Sequence, residues 1–223
     1  MTARGLGWAL LALVVGASLG VGAAYAIRPG PDASGTAVPV PAESPSVPTN
    51  RPYAPDIDYP ALGEVDTFDT YRIGNAIQTW EYVVPAGWVA YSVPGERLTP
   101  PDEVQALDEV RWRPEGEPLV GGFSLRVKAV DNHKTPTDEV TDRIAGLRRT
   151  YDDLDILEEA TDALYFTFRD ENDRLRYNFF RWFTADGVAE ATLEVSIAGR
   201  GIDEAGMRDV FDGFADGAQP VDD

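Results

Sequence analysis

The chain has 223 residues, a formal net charge of −19 and no cysteine. The missing thiols exclude disulfides, thiolate metal centres and a lipid-modified cysteine, and the acidic excess opposes binding to nucleic acid or to anionic headgroups. Past its N-terminal region the chain keeps roughly 160 residues, enough for one domain with a core of its own.

From Gly5 to Ile27 no residue is charged. As a helix this run measures about 35 Å, long enough to cross a hydrocarbon layer of ~30 Å. Residues 1–28 therefore read as a signal anchor. Arg4 and the amino terminus precede the run, which places the N-terminus inside and the rest of the chain outside. Ala24-Tyr25-Ala26 has the small-x-small form of a cleavage site, so release near Ala26 is the alternative. The length of the apolar run favours the anchor. Ala12, Gly16, Gly20 and Ala24 recur every four residues, a stripe that suits weak dimerisation of two such helices through Gly16 and Gly20. Residues 29–70 read as a disordered linker, because nine of the 17 prolines fall between Pro29 and Pro60 with no hydrophobic period.

The folded domain is expected over residues 71–219. Ile77 to Val84 predicts a strand, Pro85-Ala86-Gly87 a reversal, and Trp88 to Val93 a second strand. Leu107 to Trp112 and Leu119 to Ala129 alternate apolar with polar residues and predict two half-buried strands. Thr135-Pro136-Thr137-Asp138 combines an N-cap, a first-turn proline and an acidic third position, starting a helix whose apolar face is Val140, Ile144, Leu147 and Tyr151. A short strand over Asp155 to Glu158 leads into a three-stranded meander from Leu164 to Ile197. Its middle strand, Leu175 to Thr184, is apolar on both faces and predicted to be central. Asp186-Gly187 predicts a tight hairpin. The last strand sets Ala189, Ala191, Leu193, Val195 and Ile197 against Val188, Glu190, Thr192, Glu194 and Ser196, with the polar side expected to face water. Asp203 is read as the cap of a final helix burying Met207, Val210, Phe211 and Phe214. The fold class is α+β, an antiparallel β-sheet flanked by two helices.

The segment Trp80 to Trp88 with its VPAGW turn, the helix ending at Tyr151, the aromatic meander and the terminal helix together resemble the PsbP-like α/β/α sandwich domains. Among these, residues 71 to 218 are most similar to the LpqN-type envelope proteins of actinobacteria. Arginine outnumbers lysine 17 to 2, which fits a GC-rich bacterial genome. The resemblance implies a non-enzymatic extracytoplasmic domain that binds an envelope protein or a small lipophilic ligand. Such relatives are often lipoproteins, whereas no cysteine here could carry the lipid.

No motif calls for a cofactor or specifies catalysis. His133, the only histidine, lies in a polar turn beside Lys134, and no serine sits in a nucleophile-elbow motif. Paired carboxylates for glycoside hydrolysis carry no specificity among 38 acidic residues. Asp170-Glu171-Asn172-Asp173 and Asp152-Asp153 with Asp155 lack the glycine and distal glutamate of a calcium loop. The aromatics are more informative. Most are expected in the core, and Trp88, Tyr91, Trp112 and Trp182 are the residues predicted to contact a ligand or partner.

Overall fold

The computed structural model describes residues 52–93, 95–100, 102–151 and 153–221. The predicted membrane segment, the Gly16–Gly20 stripe, the cleavage site at Ala26 and the linker as far as residue 51 lie outside them. The fold is α+β with antiparallel sheets. Strands β1 (Phe68–Gly74), β2 (Thr79–Pro85) and β10 (Gln219–Val221) form a small sheet in the order β1-β2-β10. A seven-stranded sheet holds β3 (Trp88–Tyr91), β4 (Glu109–Pro114), β5 (Ser124–Ala129), β6 (Asp155–Glu159), β7 (Ala163–Arg169), β8 (Leu175–Phe183) and β9 (Leu193–Gly199), in the order β3-β4-β5-β9-β8-β7-β6. The helices are α1 (Asp102–Gln105), α2 (Pro136–Thr150) and α3 (Glu204–Gly217).

Period-two alternation explains how the large sheet presents two apolar faces. Trp112, Leu125, Ile197, Phe179 and Tyr165 stand in register across five strands. With Ile73, Trp80 and Tyr82 from the small sheet and Met207, Val210 and Phe214 from α3, they form the main core. The opposite face carries Leu164, Phe166, Phe180 and Trp182, covered by Val140 and Ile144 of α2. That helix starts as expected: Thr135 and Asp138 form a reciprocal capping box, with Pro136 in the first turn. Fully burying each large apolar side chain contributes about 1.5–3 kcal/mol.

The reversal at Pro85 to Gly87 is present as expected, with Gly87 at a φ of 80°, and it passes the chain from the small sheet to the edge of the large one. Several other expectations are corrected. The predicted strand from Leu119 begins only at Ser124, and Leu119 is 71% exposed. Likewise Ile77 is exposed and β2 starts at Thr79. The Asp186-Gly187 turn lies inside a longer connection between β8 and β9 rather than forming a two-residue hairpin. Strand β8 is interior, as its two apolar faces imply, paired with β7 and β9 and covered on both sides, while the middle of the seven strands is β9. Its polar face is not solvated. Glu194 is 4% exposed because it accepts hydrogen bonds from Arg126, from Arg143 of α2 (2.8 Å) and from the Trp182 indole (3.0 Å). Arg126 also grips Glu109 with two donors, at 2.6 and 2.8 Å. Buried charge is tolerated where every donor and acceptor finds a partner.

The largest departure concerns the linker. Its last part, residues 52–67, is tied to the domain before β1 begins at Phe68. The fully buried Arg200, at the end of β9, donates to the carbonyls of Tyr59 (2.7 Å), Pro60 (2.7 Å) and Ile57 (3.3 Å). Its other donors reach both carboxylate oxygens of Asp203 (2.8 and 2.7 Å). Asp203 stands at the N-cap position of α3, as expected, but not as a side-chain cap. Its side chain makes no cap bond and instead accepts from the Arg200 and Leu62 backbone N–H groups. Gly206 lets α3 close on this strap, since a Cβ there would collide with the Leu62 carbonyl.

Burial of Asp203 disfavours its charge, but the Arg200 bonds and the two backbone donors outweigh that and hold its pKa below the ordinary 3.8. A depressed folded pKa means that this stabilisation is complete above the unfolded value and is lost as pH falls through the folded one. Asp203→Asn leaves a buried guanidinium uncompensated and is expected to cost ~3–5 kcal/mol in urea unfolding near pH 7. The variant should also lose part of the decline in stability below pH 3.8. A neutral effect would show the pair to be dispensable.

Candidate functional site

The four predicted contact residues are not brought together. Trp112 is 0% exposed and donates to the Tyr82 hydroxyl (3.2 Å) within the main core. Trp182 is 1% exposed on the opposite face of the sheet, bonded to Glu194. Both indoles therefore act in packing. Trp88 and Tyr91 are half-buried on edge strand β3, where Trp88 packs against Phe123 (5.9 Å) and the Arg113 guanidinium lies over Tyr91 (4.2 Å). They share a strand but do not build a common concavity with the other two.

Concavity occurs elsewhere. Between α3 and the β6–β8 end of the sheet lies a half-open cleft of about 230 Å³, lined chiefly by Tyr165, Phe179, Phe180, Arg208 and Phe211. Tyr165 on β7 and Phe179 on β8 are register partners, so their rings stack at 4.0 Å with 5° between planes. Phe211 of α3 meets Phe179 from above (5.6 Å). One helical turn earlier, Arg208 reaches over the same two rings and bonds Glu158 of β6 (3.0 Å) and Glu204 (3.3 Å). Glu159 and Asp212 also line the cleft. Phe179 and Phe180 belong to the middle strand that the sequence marks as apolar on both faces, and Phe211 to the expected buried side of the last helix. Nothing in the sequence singles out Arg208, whose role depends on how α3 docks. A helix crossing a sheet so that residues 208 and 211 face it is the signal that could have pointed there.

Tyr165 is 5% exposed, and its buried hydroxyl makes no close hydrogen bond although the Glu204 carboxylate stands beside it. Burial first, and the neighbouring Glu204 carboxylate second, push its pKa above the ordinary tyrosine range. Tyr82 contrasts with it. That hydroxyl is also buried and its pKa raised, chiefly by burial, yet it accepts the Trp112 N–H.

Other candidates have plain structural roles. His133 is exposed in a left-handed turn (φ 57°). Asp170 accepts from the Asn172 and Arg174 N–H groups and so closes the β7–β8 turn. Among the described residues no group of three His, Asp or Glu is arranged to hold a metal ion. Glu117 has a carboxyl raised by burial, as a general acid requires, but it is 5% exposed and lies outside the cleft. Comparison with protein-family models, with curated proteins and with solved structures finds no match.

An unpartnered buried hydroxyl costs free energy, whereas a bonded one contributes. Tyr165→Phe is therefore expected to leave stability unchanged or raise it by up to ~1 kcal/mol, while Tyr82→Phe lowers it by ~1 kcal/mol. Urea midpoints of the two variants check this, and the opposite order would contradict the hydrogen-bond assignment.

Proposed function

We propose that this protein is a membrane-tethered, outward-facing binding module of a bacterial envelope, and that it takes a small amphipathic molecule in the cleft between α3 and the sheet. The observation that carries this reading is the cleft itself: a floor of stacked rings beneath a helix, with charged side chains at its margin. Apolar walls with a few convergent polar groups are the usual form of a ligand site. Its size sets a limit. Drug-sized sites run from ~300 to 1,000 Å³, so a cleft of about 230 Å³ suits a ring or a short branch rather than a whole lipid.

The uncharged run from Gly5 to Ile27 supports the tether, and the proline-rich stretch after it supports a spacer. The PsbP-like resemblance over residues 71 to 218 supports a binding domain rather than an enzyme. Carboxylate-dependent hydrolysis is the weaker reading, because Glu158 in the cleft and Glu204 next to it are engaged by Arg208 as counterions.

Titrating the full-length chain with phenethyl alcohol is expected to shift the NMR resonances of Tyr165, Phe179 and Phe211 while leaving those of Trp88 and Tyr91 in place. Ala163→Phe puts a ring into the cleft wall and should weaken that binding at least ~10-fold. Shifts scattered over the surface would contradict the site. Protease added to spheroplasts should cut the proline-rich segment and free the domain. A fully protected chain would contradict outward placement.

A further inference from the structure

The cleft already holds a charged group of its own. The Arg208 guanidinium lies over Tyr165 (4.6 Å to the ring centre) and Phe179 (5.0 Å), flanked by the carboxylates of Glu158 and Glu204. Aromatic rings beneath and carboxylates alongside are contacts by which proteins recognise organic cations. Glu159 and Asp212 line the same space, so acidic groups outnumber the single base.

We propose that the cleft is a site for a small organic cation, an ammonium or guanidinium on a short apolar body, and that Arg208 is the internal stand-in this ligand displaces. The proposal rests on the reading of the cleft as a ligand site and adds the charge of the ligand. An anion would have to part Arg208 from both carboxylates and then sit beside Glu159 and Asp212. A cation instead exchanges with Arg208 like for like, inheriting its rings and carboxylates. Arg208 can leave, because its side chain is 40% exposed on a long flexible stem and its charge passes into water. The formal charge of −19 also raises the local concentration of cations around the chain.

The test uses three probes with one apolar body: phenethylguanidinium, phenethyl alcohol and 3-phenylpropionate. Each is titrated by NMR into the full-length protein, into Arg208→Ala and into Glu204→Gln. The guanidinium is expected to bind at least ~10-fold more tightly than the alcohol, with the carboxylate weakest. Arg208→Ala should strengthen guanidinium binding several-fold by vacating the rings, and the milder Glu204→Gln should weaken it. An alcohol that binds as well as the guanidinium would overturn the cation proposal and leave the ligand cleft standing. So would 3-phenylpropionate binding that disappears in Arg208→Ala. Guanidinium binding weakened by Arg208→Ala would overturn the stand-in role. If no probe binds any of the three proteins, the cation proposal and the ligand cleft fall together.

Discussion

The buried contact between Arg200 and Asp203 is the constraint on which the rest of the domain depends. Arg200 ends the central region of the sheet at β9, Asp203 immediately precedes α3, and the carbonyls of residues 57, 59 and 60 complete the arginine's shell. A guanidinium suits this place because it presents donors in a planar fork and keeps its charge when buried. Each donor has an acceptor, so desolvation is offset by bonds in three directions. The consequence reaches the cleft. The height at which α3 leaves the sheet sets where Arg208 and Phe211 hang over Tyr165 and Phe179.

A second buried charge performs the matching task on the other face. Glu194 joins Arg126 of β5, Trp182 of β8 and Arg143 of α2, so the helix on that side is located by ion pairs as well as by Val140 and Ile144. Arg143 also lies over the Phe180 ring (4.4 Å). In a chain without disulfides, these satisfied polar networks and the two apolar clusters share the work of holding three layers in place.

Local pattern made much of this legible in the sequence. Strands β7 and β8 follow from alternation in Leu164 to Arg169 and Leu175 to Phe183, and α2 from the Thr135 cap and its 3.6-residue apolar period. Sheet order was not legible, because pairing joins residues far apart: β5 meets β9 across some seventy residues. Glu194 and Ser196 looked solvated since polar alternation marks a wet face unless another element covers it, and α2 does so from a distance in sequence. The strap of residues 52–67 was hidden for a different reason. It is fixed by its backbone carbonyls, which every residue possesses, while its prolines mimic a linker. The cleft was half visible: its rings belong to strands that could be read, but Arg208 gains meaning only once α3 has docked.

The central claim is that the ordered domain begins with the strap held by Arg200, not with the first strand. Hydrogen exchange at the Leu62 amide of the full-length chain, whose N–H donates to Asp203 (3.0 Å), tests it most directly. The account predicts protection approaching that of Val195 in the middle strand, because releasing Leu62 requires opening the buried charge pair. Exchange of Leu62 at the rate of an unstructured peptide, with Val195 still protected, would contradict it.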